Sequence, residues 1–147
     1  MEKTPEQITV IDADGLILGR MATYVAKRLL NGEEIAIVNA EKAILSGRKS
    51  VKLADTKEFL KVGAPMRGPF HYRRPDRLVR RTVRGMLPRR KPKGKQAFKR
   101  LRVYVGIPDD LKGRSAETLS KAQGKKLTCP HSTVGELARE IGWNPEA

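Results

Sequence analysis

The apolar positions of the chain change period several times, and each change marks an element. Ile8-Thr9-Val10-Ile11-Asp12 is short and β-branched and runs into Ala13-Asp14-Gly15, which predicts a strand entering a turn. Leu18, Met21, Ala22, Val25, Ala26, Leu29 and Leu30 then recur at steps of three and four, with Arg20, Thr23, Lys27 and Arg28 on the other side. That spacing predicts a helix with one buried face, closed by Gly32 after Asn31. Ile35-Ala36-Ile37-Val38 is apolar without alternation, as expected of a strand covered on both faces. Strand, helix and buried strand within about 30 residues predict a right-handed βαβ unit, so the fold class is α/β.

Asn39 to Gly47 reads as a short turn or helical piece, and Arg48 to Val62 as a weakly amphipathic helix rich in Lys. Gly63 to Pro75 holds too much Pro and Gly for a regular element and predicts an ordered loop. A helix resumes at Asp76. At roughly 100° per residue, Leu78, Val79, Thr82, Val83, Met86 and Leu87 cover one half of it, and Arg77, Arg80, Arg81 and Arg84 the other. One side is expected to pack on the body while the arginines form an outward stripe. Pro88 ends this helix. Arg89-Arg90-Lys91-Pro92-Lys93-Gly94-Lys95 lacks any apolar residue and is expected to be extended, and mobile when free. Gln96 to Leu101 predicts a short helix, and Val103-Tyr104-Val105 a strand stopped by Gly106 and Pro108. Leu111 to Lys126, anchored only by Leu111, Ala116, Leu119 and Ala122, reads as a polar connection or a lightly attached helix. Thr133-x-x-Glu136 has the form of a capping box, with Val134, Leu137, Ala138 and Ile141 as the inner face of a last helix. There is neither an internal repeat nor a domain boundary.

Composition narrows the class. A chain of 147 residues, 39% hydrophobic and 32% charged, has the size and apolar content of one folded domain spanning 1–147. Its longest apolar run is Ile35 to Val38, far short of the roughly 20 residues that span a bilayer. Met1 to Gln7 is charged where a secretory signal would be apolar, and a lone Cys129 cannot form an internal disulfide. A cytosolic protein of a reducing compartment is expected.

Charge changes the picture more. The formal net charge is +15, and it is unevenly spread. Arg67 to Arg102 holds fifteen basic residues and one acid, Asp76, for +14; the other 111 residues hold sixteen basic and fifteen acidic. A near-neutral body with one dense cationic segment calls for a polyanionic partner, of which a phosphate backbone is the commonest. An acidic membrane fits less well, because the segment is full of Pro and Gly and offers no long helix with bulky apolar residues opposite its cations.

Candidates for catalysis fall short one by one. Gly15-Leu16-Ile17-Leu18-Gly19 sits where a dinucleotide fingerprint would, but it is Gly-x-x-x-Gly, and no Gly-Lys-Ser/Thr phosphate loop occurs. Cys129 and His131 lack the further ligands a zinc site needs. Ser46 has no base beside it and is better read as a helix cap, where Arg48 and Lys49 could seat a phosphate. Asp12 and Asp14 suit an Asx turn better than acid–base work. No enzyme activity, cofactor, metal or small-molecule substrate is expected.

The basic segment carries the other residue type that RNA recognition uses. Phe70, His71 and Tyr72 stand beside Arg73 and Arg74; planar rings stack on unpaired bases, and guanidinium groups fork phosphates. Phe70 and Tyr72 could equally be core anchors of the loop. Arg outnumbers Lys across the segment, which favours specific phosphate contacts over diffuse attraction. Arg67, Arg74, Lys99 and Arg100 complete the set of candidate contacts in the segment.

Six blocks, in order, resemble one family. They are Val10-Ile11-Asp12-Ala13, Leu18-Gly19-Arg20, Val38-Asn39-Ala40-Glu41-Lys42 with Ser46-Gly47, Gly68-Pro69-Phe70-His71-Tyr72-Arg73, Arg81-Thr82-Val83-Arg84-Gly85-Met86-Leu87-Pro88, and Lys99-Arg100-Leu101-Arg102-Val103-Tyr104-Val105-Gly106-Ile107-Pro108. Over about Val10 to Pro108 the chain is similar to the universal L-thirteen family of large ribosomal subunit proteins, in its archaeal and eukaryotic form. The resemblance implies a three-layer α/β/α domain around a four-stranded, mostly parallel sheet, with the extended basic loop attached. It also implies binding to large-subunit ribosomal RNA beside neighbouring ribosomal proteins, a part in early subunit assembly, and no catalysis. Carried over by block, the RNA contacts are Arg48, Lys49, His71, Tyr72, Arg73, Arg84 and the tract Arg89, Arg90, Lys91, Lys93 and Lys95. Arg77, Arg80 and Arg81 come from helix geometry instead. Two rivals are a repressor that binds messenger RNA outside the ribosome, and an RNA-modifying enzyme using the turn around Gly15.

Overall fold

A computed structural model describes residues 8–146; the charged segment Met1 to Gln7 lies outside the described residues. In chain order the elements are β1 (Ile8–Asp12), α1 (Leu18–Leu30), β2 (Glu34–Val38), β3 (Ile44–Ser46), α2 (Lys49–Leu60), α3 (Pro75–Met86), α4 (Pro92–Lys99), β4 (Leu101–Val103), β5 (Ala116–Glu117), β6 (His131–Thr133) and α5 (Val134–Glu140). The expected βαβ unit is present. β1 and β2 pair in parallel from Ile8 opposite Glu34 to Asp12 opposite Val38. β4 joins the far edge of β2 and β5 the far edge of β1, both parallel, giving one four-stranded sheet in the order β4-β2-β1-β5. A two-stranded antiparallel ribbon of β3 and β6 stands apart.

The lack of alternation in β2 has the expected cause. Ile35 and Ile37 point with Ile11 into the main core, while Ala36 and Val38 point with Val10 to the opposite face. The main core is roofed by α1, which buries Leu18, Met21, Ala22, Val25, Ala26 and Leu29 and lies against α3 and α4 through Val79, Val83 and Ala97. The opposite face carries a thinner layer, in which the 3-10 turn Asp109–Leu111 supplies Leu111 and the chain after β4 supplies Tyr104. The fold is thus α/β with the expected three layers. α5 is capped as its sequence predicts, Thr133 Oγ1 accepting from the Glu136 amide at 3.1 Å.

Several local expectations change. The tract Arg89 to Lys95 is not extended throughout, because α4 begins at Pro92 and runs through it. Hydrophobic counting missed this contact, which is made by the backbone: Gly94 is buried, and a Cβ there would collide with the carbonyl of Pro88. A missing side chain lets the turn after Pro88 and the first turn of α4 close on each other. The helix expected from Asp76 begins at Pro75, whose fixed φ and absent amide hydrogen suit a first helical position. The strand expected at Val103–Val105 lies at Leu101–Val103, where Leu101 reaches the core. Within the stretch read as a polar connection, Ala116 and Glu117 pair with Val10 and Ile11. Ser46 does not cap α2. It pairs with His131 in the ribbon, and Arg48 occupies the cap position without a side-chain hydrogen bond.

Two glycines provide a paired test. Gly94→Ala should destabilise the protein by about 1–3 kcal/mol, the usual cost of overpacking. Gly85, near the end of α3, has nothing within 4 Å of a built Cβ, so Gly85→Ala should be neutral or add up to about 1 kcal/mol. Urea unfolding of both variants checks the pair, and equal effects would contradict the packing described.

Candidate nucleic-acid interface

α3 delivers its cations as helix geometry requires, but not as a fully solvated stripe. Its inner face buries Pro75, Val79 and Val83, and Leu87 follows at its end. Arg77 is exposed, whereas Arg80, Arg81 and Arg84 are half-buried. For Arg80 and Arg81 the reason is a ring beneath each guanidinium. The Arg77 guanidinium carbon lies 5.9 Å from the centre of Tyr72, that of Arg80 4.5 Å from Phe98, and that of Arg81 4.3 Å from Phe59. A guanidinium laid on a ring keeps its N–H edges in its own plane, so stacking orders the group without occupying its donors. The four arginines of α3 line one recess of about 60 Å³, with Tyr72 and Phe98 as its apolar walls. Arg80 Nε is buried there without a hydrogen-bond partner among the described residues.

The loop before α3 divides its residues between inside and outside. Phe70 is 89% exposed and Met66 97%, so Phe70 is not a core anchor. His71 turns inward; its Nε2 donates to the Val62 carbonyl at 2.9 Å, and its ring meets Phe59 edge-on at 4.4 Å between centres. Through Phe59, His71 and Arg81 the loop and α3 hold α2, a helix that buries no residue of its own. Arg73 donates to the Ile141 carbonyl at 3.1 Å, and Arg74 Nε lies 3.2 Å from Asp76, the one acid of the segment.

The other expected contact residues fall into three settings. Arg67, Arg89, Arg90, Lys91, Lys93, Lys95 and Lys99 are exposed, the last three on α4 and the first on the loop. Arg48 is exposed at the start of α2, and Lys49 beside it lies 3.6 Å from Glu140 and 3.9 Å from Glu136. Arg100 is turned into the body, where it donates to the Leu29 carbonyl at 2.7 Å and so closes the end of α1. Several acids of the body are engaged locally. Glu33 and Glu117 hold Arg28, whose guanidinium pKa is raised chiefly by the Glu33 hydrogen bond, and Glu41 accepts from the Gly106 amide.

Phe98 and Phe59 were not singled out from the sequence. Phe98 had a legible signal, an aromatic among the lysines of a short helix; Phe59 had none, since its partner Arg81 is remote in the chain. The turn around Gly15 is filled by the chain itself. Gly15 adopts φ +70°, its carbonyl accepts from the Gly124 amide at 2.8 Å, and the Ile17 amide donates to the Ala122 carbonyl at 2.7 Å. The amides of Gly15 and Ile17 are thus spent on carbonyls of the chain itself, those of Lys42 and Ala122. Asp12 accepts from the Asp14 amide and from Asn39 Nδ2, both at 3.0 Å, which is an Asx turn tied to the neighbouring strand end. Among the described residues there is no group of three or more His, Cys, Asp or Glu placed to hold a metal ion, and no helix long and apolar enough to cross a membrane.

The chain is thus of the class of parallel α/β proteins that carry an arginine-lined, ring-walled face. Comparison with known proteins narrows the class. Residues 6–110 match the family described as Ribosomal protein L13. The chain is 49% identical over 139 residues to the large ribosomal subunit protein uL13 of Methanosphaera stadtmanae, covering 92% of this chain and 97% of the relative. It is 47% identical over 140 residues to that of Methanocaldococcus jannaschii (92% and 98%), and 44% over 140 residues to that of Archaeoglobus fulgidus (94% and 90%). The chain belongs to the ribosomal protein L13 family.

The settings of the arginines predict different phenotypes. Arg100→Met should cost about 1.5–3 kcal/mol of stability, the worth of a charged hydrogen bond to a carbonyl. Arg89→Met, on an exposed turn, should stay within about 0.5 kcal/mol of wild type. Chemical unfolding of the two proteins distinguishes a fastening arginine from a free one.

Proposed function

We propose that the protein is a structural constituent of the large ribosomal subunit in the cytoplasmic ribosome, where it binds ribosomal RNA, supports early assembly beside neighbouring ribosomal proteins, and performs no catalysis. The observation that carries this reading is the recess of α3, where four guanidinium groups converge between two rings beside a run of exposed cations. Kinship with relatives named as large-subunit proteins supplies the setting.

In this reading the recess takes phosphate oxygens. Arg77, laid over Tyr72, offers forked donors held in place before contact, so little side-chain freedom is lost on binding, and Arg84 adds a second fork. Arg80 and Arg81 add charge while fastening Phe98 and Phe59. Tyr72, 41% exposed, offers a face to a base. Arg67, Arg89, Arg90, Lys91, Lys93, Lys95 and Lys99 contact the backbone of adjoining RNA and displace counterions, bringing together strands that otherwise repel. Arg48 and Lys49 form a second contact at the start of α2, Arg73 and Arg74 a third near the end of α5. His71 and Arg100, committed to internal carbonyls, act by holding the loop and α4 in position. An RNA-modifying activity at Gly15 is disfavoured by the backbone that fills that turn.

Binding to a large-subunit ribosomal RNA fragment should weaken about a thousandfold or more as salt rises from about 50 to about 200 mM, as expected for roughly six or more phosphate contacts. An affinity insensitive to salt contradicts the reading. Replacing Arg77, Arg89 and Arg90 with Glu should abolish binding while circular dichroism is unchanged. Extending the replacement to Arg80 and Arg81 should also destabilise the fold, because those two pack on rings.

A further inference from the structure

Away from the α3 recess, Arg73 and Arg74 border a cleft of about 470 Å³ whose other walls the contacts proposed above do not explain. It is lined by Arg73, Arg74, Val105, Trp143, Asn144 and Pro145. Trp143, the only tryptophan of the chain, is half-buried, and its amide is tied to the Ala138 carbonyl at 2.9 Å, which fixes it just past the end of α5. Arg73 is fixed as firmly. Its Nη1 donates to the Ile141 carbonyl, and it lies against Gly142, where a Cβ would come 2.9 Å from the same nitrogen. Gly142 has φ +110°, a conformation that favours glycine and lets the chain turn Trp143 toward the two arginines. Arg74 is braced at Nε by Asp76, leaving a side chain that is 63% exposed. Among the described residues no carboxylate lines the cleft; Asp76 is paired with Arg74, and the Glu146 amide donates to Asn144 Oδ1.

We propose that this cleft binds a single unstacked nucleotide of RNA, the base against the Trp143 indole and its phosphate between Arg73 and Arg74. The proposal rests on the RNA-binding reading above and gives its contact at Arg73 and Arg74 an enclosed pocket for a base. A recess of about 60 Å³ accommodates a phosphate edge but no base, whereas the cleft has the volume of a small-ligand site. A base still stacked in an A-form helix cannot reach into a concavity, so the site selects single-stranded or flipped-out residues. An apolar protein side chain would bury the remaining donors of two guanidinium groups without acceptors, which is costly. A nucleotide supplies a ring and an acceptor together.

Because Trp143 is the sole tryptophan, its emission in the full chain reports this cleft alone. The experiment compares a ten-residue oligoadenylate with a blunt, loop-free RNA duplex. Binding of each is followed by anisotropy of labelled RNA, and Trp143 by fluorescence. Oligoadenylate is expected to quench Trp143, and the duplex to bind without quenching. Trp143→Leu should weaken oligoadenylate binding about tenfold, within the range for loss of one base–aromatic stack, and leave duplex binding unchanged, while Trp143→Phe restores most of the loss. Should Trp143→Leu not fold, Arg74→Gln, at an exposed position, should reduce oligoadenylate affinity and quenching in the same direction. Oligoadenylate binding with unchanged emission, or unchanged affinity in these variants, overturns the subsite while leaving the RNA-binding reading intact. Failure of both RNAs to bind overturns both. Quenching that requires another large-subunit protein, and never follows RNA alone, assigns the cleft to a protein neighbour and overturns the proposal.

Discussion

The structure is governed by one electrostatic constraint: a net charge of +14 within 36 residues must be held on a body whose own charges nearly cancel. Carboxylates could have neutralised it, at the cost of occupying the donors. The chain uses rings and carbonyls instead. Tyr72, Phe98 and Phe59 each support one arginine of α3, and the carbonyls of Ile141 and Leu29 take Arg73 and Arg100. Rings and carbonyls position a guanidinium without cancelling its charge. Much of the stabilisation that would normally come from counter-charge is left to be supplied by a partner.

The βαβ body makes this arrangement sustainable. α3 and α4 are laid on α1, which is laid on a sheet buried on both faces, so the cationic elements are fastened by Val79, Val83, Leu87 and Ala97 and not by their own exposed residues. At the strand-to-helix turn around Gly15, segment 122–124 hydrogen-bonds into the turn and pairs with Leu16. A position that serves cofactor chemistry in other α/β proteins here serves closure of the fold.

What was legible in the sequence follows from what has a period. α1 and the inner face of α3 were readable because seven apolar positions in the one, and five with Thr82 in the other, repeat at helical spacing, and β2 because its run is continuous. β3, β5 and β6 have two or three residues each and too little length for any period to register. The start of α4 was hidden because its packing is made by an absent side chain, at Gly94 against Pro88. For the interface, charge counting located the segment and helix geometry grouped Arg77, Arg80, Arg81 and Arg84. It could not tell that three of them would lie on rings, since Phe59, Tyr72 and Phe98 come from three different parts of the chain. Nor could it distinguish Arg100, turned inward to Leu29, from Arg89, turned out.

The most direct test of the account is the stability of the isolated protein as a function of sodium chloride. Raising salt from about 0.01 M to about 1 M shortens the screening length from roughly 30 Å to roughly 3 Å. If the cations of α3, α4 and the loop repel one another without internal compensation, the unfolding midpoint should climb steadily across that range. A midpoint that stays flat or falls would mean that attractive pairs within the chain already balance the segment, and would contradict the account.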